Sequence, residues 1–130
     1  MLTGGKGLHV VVPLTPQAKW PAVKDFAHRF SIALALAEPE RFTANLAKAS
    51  RTGRIFLDYL RNQRGATAIM PYSARAREGA PVSAPISWDE LDETESGARF
   101  SVRDSDLLLE RASGRGLQGW GEASQVLPDL

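Results

Sequence analysis

Two stretches of the chain place residue types that suit phosphate or metal chemistry. In "RIFLDYLRNQRGATAIMPYSARAR", residues 54–77, Asp58 follows Ile55, Phe56 and Leu57, an apolar run that reads as a buried strand. Arg54, Arg61, Arg64, Arg75 and Arg77 surround it in sequence. An ionised carboxylate is costly to bury alone, so it requires an arginine, hydrogen bonds or a metal. Two readings stay open on the residues: a structural Asp58–Arg ion pair, or a site for metal and phosphate. Arg75 and Arg77 alternate with Ala74 and Ala76, so an extended backbone would turn both guanidinium forks to one face. Such planar forks grip phosphate oxygens well, although solvated surface charge is the ordinary role of loop arginines.

The second stretch is "TGGKGLHV", residues 3–10. Glycine lets backbone amides approach a ligand closely, and Lys6 adds a mobile charge, so the loop could cradle phosphate. It is not a P-loop sequence, since it precedes a strand-like run rather than a helix. His9 stands at the start of that run, where a lone histidine is more often structural. Neither His9 nor His28 has a zinc-binding spacing. The acidic run 89–95 lacks the glycine and ligand order of a calcium loop.

These residues need elements to position them. "GLHVVVPL", residues 7–14, is β-branched and ends near Pro13, which predicts a strand. Val23, Phe26, Ala27, Phe30, Ala33 and Ala37 recur at helical spacing, with Pro21 in the first turn. A second, shorter helix is expected over 39–53, stopped by Gly53. Strands are expected over 54–60 and 98–104, with extended chain over 66–72. Trp88 leads into a short acidic helix, and residues 105–113 form a last helix before a glycine-rich tail. The order predicts a mixed α/β or α+β fold.

At 130 residues the chain suits one domain, 1–130, with a variable tail from about 114. The absence of cysteine excludes disulfides and thiolate metal sites, and fits a cytoplasmic location. No apolar stretch is long enough to span a bilayer, and no signal-peptide core opens the chain. Net charge is +1, but residues 1–77 hold 12 Lys+Arg against 4 Asp+Glu, while residues 78–130 hold 4 against 11. That asymmetry suits a basic face for a polyanion.

Together, "TGGKGLHVVVPL" and "GRIFLDYLRNQRGATAIMPYSARAREGAPVSAPISWDEL" resemble the polymerase domain of bacterial DNA ligase D, of the archaeo-eukaryotic primase superfamily, active in non-homologous end joining. The resemblance runs from about residue 3 to about residue 104. It implies a largely antiparallel sheet flanked by helices, as half of a primase-polymerase fold. It implies that His9 contacts the triphosphate of an incoming nucleotide and that Thr3 keeps a hydroxyl where the family often has serine. Lys6, Arg51, Arg61, Arg75 and Arg77 would serve phosphates of nucleotide or DNA, and Asp58 would be the third metal carboxylate, for manganese or magnesium. The family's Asp-x-Asp pair precedes the glycine loop, and no such pair precedes it here. The expectation is therefore a C-terminal half without catalysis of its own, binding DNA ends or nucleoside triphosphates, or completed in trans by a polypeptide carrying the other half. Apolar surface left open in such a half would favour a homodimer, unless Leu107, Leu108 and Trp120 fold back to cover it.

Overall fold

A computed structural model describes residues 1–129. The chain resolves into two compact units, one made of Met1–Pro13 and Ile69–Ser124, the other of Leu14–Ala68 with the residues from Gln125 onward.

In the first unit the core is small and well defined. Leu2, Val82, Ala84, Phe100 and Leu108 are buried, with Ile86 packed against them. β3 (Pro81–Val82) pairs antiparallel with β4 (Phe100–Ser101). Further antiparallel bridges join Leu2 to Leu8 and Ala84, and Ala74 to Val82. The strand expected over 98–104 stops after Ser101 because the chain caps a helix there. Ser101 N donates to Asp104 Oδ2 at 2.8 Å while Arg103 N donates to Ser101 Oγ at 3.2 Å, a reciprocal capping box. A 3₁₀ turn over Val102–Asp104 then feeds α2 (Ser105–Ser113), which buries Leu108. The acidic helix after Trp88 is a single 3₁₀ turn, Asp89–Leu91.

The second unit is built on α1 (Trp20–Ala37), which lies against β1 (Phe42–Thr43). Lys19 precedes the helix in extended conformation, and Pro21 occupies its first turn, where a missing N–H costs nothing. The apolar stripe read from the sequence is not a buried one: Phe30 is 52% exposed, and Ser31 is the buried residue of the helix. Phe26 and Phe30 stack on each other at 6.3 Å.

The helix expected over 39–53 is replaced by β1 and a 3₁₀ turn, Lys48–Arg51. Local side-chain bonds compete with a helix here: Thr43 Oγ1 accepts from Asn45 N at 3.1 Å, and Asn45 Oδ1 from Ala47 N at 2.9 Å. Residues 44–54 cross over so that β1 pairs parallel with β2 (Ile55–Phe56). Pairing is thus antiparallel in the first unit and parallel in the second, and the expected largely antiparallel sheet is met only in the first.

Two expected strands differ more. Residues 7–14 form no strand; beyond the Leu2–Leu8 bridge, Val10, Val11 and Val12 pair with nothing among the described residues. The run over 54–60 shortens to β2. Its end is set by Asp58, whose carboxylate turns the chain instead of extending it.

Candidate functional site

The glycine loop lies in the first unit, and its conformation comes from Thr3. Thr3 Oγ1 donates to Gly7 O at 2.7 Å and accepts from Gly5 N at 3.1 Å, closing a tight hydroxyl-centred turn. Gly4 sits at φ +70°, a region open to glycine. Its amide donates to Gly97 O at 2.8 Å. The amides of Gly4 and Gly5 are therefore already bonded inside the protein, and the phosphate cradle of free N–H groups expected there does not form from them.

What the glycines admit instead is arginine. A Cβ on Gly4 would fall 2.9 Å from Arg75 Cγ, and one on Gly5 would fall 2.9 Å from Arg77 Nη1. Arg75 is half-buried and donates from Nη1 to Thr3 O at 3.0 Å. Arg77 is exposed, and with Lys6 it lines an open cavity of about 420 Å³ beside Gly4 and Gly5. Glu78 and Glu95 line the same cavity and moderate its positive charge. Residues 75–77 form a turn, with Arg77 N donating to Arg75 O at 2.9 Å, so the shared face expected of an extended strand is not how these arginines meet. They converge because the loop lacks side chains.

His9 is half-buried and exchanges backbone bonds with Met1, His9 N to Met1 O and Met1 N to His9 O, each 2.8 Å. Burial lowers the pKa of that α-amino group. His9 lines a separate cavity of about 280 Å³ with Val10, Val11, Trp88, Leu117 and Trp120 among its walls. Gly116, Leu117, Gln118 and Trp120 of the tail line this cavity with the first residues, whereas Leu107, expected in the covering set, is 46% exposed.

Asp58, Arg51 and Arg61 belong to the second unit. Asp58 is exposed, not buried, and forms no ion pair among the described residues. Its Oδ1 accepts from Leu60 N at 3.0 Å, a turn that solvates the carboxylate and ends the apolar run. The cost of burial that motivated an arginine partner does not arise. Arg51 Cζ stacks 3.8 Å over the Phe56 ring while Nη2 donates to Leu46 O at 2.7 Å. Arg61 Nη1 donates to Thr67 O at 2.6 Å. His28, on α1, stacks on Tyr59 at 4.3 Å.

A divalent metal needs several oxygen ligands held together. Among the described residues no group of three or more Asp, Glu, His or Cys side chains is placed to hold one. Asp58 alone does not make a metal centre.

Two features escaped sequence reasoning. Gly97 packs directly on the glycine loop: a Cβ there would lie 2.5 Å from Gly7 O and 2.7 Å from Gly5 O. Nothing in "SGARF" signals this, because the close approach is tertiary. The other is the forked pair Arg111–Glu90, with Nη1–Oε1 2.7 Å and Nη2–Oε2 3.0 Å. Arg111 also donates to Pro85 O at 3.0 Å and lies over the Phe100 ring at 5.1 Å. Its hydrogen bonds hold the Glu90 carboxyl down at about 2, against an ordinary 4.5.

The family model described as LigD, primase-polymerase domain, matches residues 1–115. The multifunctional non-homologous end joining protein LigD of Pseudomonas aeruginosa is 46% identical over 112 residues, covering 86% of this chain and 13% of that protein. The bifunctional non-homologous end joining protein LigD of Bacillus subtilis is 32% identical over 116 residues, covering 88% and 18%. The polymerase domain from Mycobacterium tuberculosis ligase D, solved in complex with DNA, aligns with a TM-score of 0.71 at 30% identity, covering 86% of this chain and 39% of that one. The chain therefore spans less than a fifth of these curated relatives and about two fifths of the solved domain.

Proposed function

Since this chain belongs to the LigD primase-polymerase domain family, we propose that it binds nucleoside triphosphates and DNA ends as part of the polymerase machinery of end-joining repair. The observation that carries the reading is the convergence of Lys6 and Arg77 on the glycine loop, over a cavity open to solvent. Two mobile cations at one cavity suit a polyphosphate, and bidentate guanidinium contacts favour phosphate over a simple anion. In this reading Thr3 and Arg75 hold the loop in shape, and His9 contacts the triphosphate. Arg51 and Arg61, each with donors beyond its internal bond, serve DNA phosphates.

Asp58 contributes one carboxylate to a manganese or magnesium site, and no set of further ligands is grouped with it among the described residues. The sheet pairing fits within a larger, largely antiparallel primase-polymerase sheet of which residues 1–130 form one domain's C-terminal half. No helix among the described residues is long and apolar enough to cross a membrane, and the reading places the protein in the cytoplasm. Its protein partner is either a polypeptide completing the domain or a second copy.

Titration of the chain with ATP in the absence of metal tests the phosphate site. Arg77→Ala and Lys6→Ala are each expected to weaken binding by about tenfold or more, the scale of a lost charge-assisted bond. Unchanged affinity in both variants would remove the glycine loop from the site. Catalysis is a separate matter, because two-metal phosphoryl transfer needs more than one carboxylate. The chain alone is expected to give no primer extension with manganese or magnesium. Metal-dependent extension that disappears in Asp58→Ala would refute that expectation.

A further inference from the structure

We propose that Gly97 is a positioning residue for Lys6. By carrying no side chain it fixes where the glycine loop stands against residues 95–98, and so where the loop's cation meets a polyphosphate. The inference deepens the phosphate-site reading above and rests on it.

Within the run 95–99 only Gly97 is buried. Its neighbours Ser96 and Ala98 are exposed and, with Glu95, line the cavity of about 420 Å³ opposite Lys6 and Arg77. Gly97 O accepts from Gly4 N at 2.8 Å, and a Cβ on Gly97 would lie 2.7 Å from Gly5 O and 2.5 Å from Gly7 O. Lys6 stands between those two carbonyls in the chain. One hydrogen bond and two close approaches therefore seat the loop on either side of its only cation. Gly97 does not have a left-handed φ, so close approach alone requires glycine there. An alanine would suit the backbone and clash only with the loop.

The anchoring of the two partners decides which of them yields to such a clash. The wall is held at both ends. Phe100 is buried and pairs with Val82, while Thr94 Oγ1 donates to Glu90 O at 2.7 Å, and Glu90 is itself forked to Arg111. The loop is held at its base, where Leu2 and Thr3 are buried and Leu2 bridges Ala84. Its tip is not, since Lys6 and Gly7 are exposed. The tip is thus the part that moves, by about 1 Å, the gap between so close an approach and van der Waals contact. That movement strains the bond from Thr3 Oγ1 to Gly7 O and carries Lys6 out of its place beside Arg77. A charge-assisted bond holds only over a narrow distance range, so the contact of Lys6 with phosphate is lost.

Calorimetric titration with ATP, without metal, of the full chain, Lys6→Ala, Gly97→Ala and the double variant tests this. Gly97→Ala is expected to weaken binding about tenfold, as Lys6→Ala does, and the double variant by about tenfold as well, because both changes remove one contact. A loss of about a hundredfold in the double variant, the product of independent effects, would overturn the proposal. A merely structural role for Gly97 gives that product. Loss of affinity in Lys6→Ala but not in Gly97→Ala would remove the positioning role alone. Full affinity in Lys6→Ala would remove the phosphate-site reading and the positioning role with it. If Gly97→Ala does not fold, amide spectra of the unaltered chain decide. ATP is then expected to shift the Gly4 and Gly97 resonances, and to leave them in place in Lys6→Ala at the same concentration. Resonances of Gly4 and Gly97 that stay unmoved in the unaltered chain at saturating ATP count against the proposal.

Discussion

At the scale of single residues, the most consequential pair is Glu90 with Arg111, which no local pattern in the sequence joins. Their side chains are 24% and 18% exposed, so the fork is partly shielded from water and from salt. The Glu90 carboxyl is held at about 2 against an ordinary 4.5. A depressed carboxylate stabilises the fold above its unfolded value and loses that contribution as pH falls through its folded one. Acid should therefore destabilise the first unit between about pH 4.5 and pH 2. Glu90→Gln should cost roughly 1–3 kcal/mol at pH 7 and flatten that acid limb. Urea unfolding at pH 7 and pH 3, followed by Trp88 and Trp120 emission, measures both effects. An acid limb that persists in Glu90→Gln would assign it to other carboxylates.

At the scale of elements, short polar side chains decide where segments end. Thr43 and Asn45 turn a helix-compatible stretch into a strand and a loop, Asp58 ends β2, and Ser101 with Asp104 ends β4 and starts the turn before α2. Each acts by offering the backbone a local partner in place of the next ladder or helix bond. Asp104→Ala removes half of the capping box and should lower stability by about 1 kcal/mol. Thermal melts of the variant and of Asp104→Asn measure this; the Asn form retains an acceptor and should recover most of the loss. Equal destabilisation by both would place the effect in the charge of Asp104 instead of its bond. Apolar periodicity located α1 correctly but did not decide which of its faces is buried. The stripe is present, but Phe30 remains half exposed.

At the scale of the molecule, charge and openness point the same way. The basic excess of residues 1–77 covers the glycine loop and Arg51, Arg61, Arg75 and Arg77, whereas the acidic excess falls on residues 78–130. Binding to a 5′-phosphorylated DNA end should accordingly be weak and steeply salt-dependent. Releasing a few counterions implies about a tenfold or greater loss of affinity between 50 and 200 mM salt. Fluorescence anisotropy with a labelled end at the two salts checks this, and salt-independent binding would indicate apolar contacts instead. The buried apolar residues all lie in the first unit, while unpaired valines and a bare helix face remain exposed.

The sequence by itself determined the family, the mixed α/β class, the first helix and the last helix over 105–113, and it named Lys6, Arg75 and Arg77 as phosphate candidates in two separate stretches. These are legible because motif spacing and helix periodicity are local properties of the chain. Tertiary structure alone decided the rest. It placed Arg75 and Arg77 over Gly4 and Gly5, seated Gly97 against the loop, exposed Asp58, and joined Glu90 to Arg111. The strand expected over 7–14 shows why: β-branched residues state a preference for a pleated surface, but a strand exists only when a neighbour supplies its hydrogen bonds. Val10, Val11 and Val12 carry the preference and lack the neighbour.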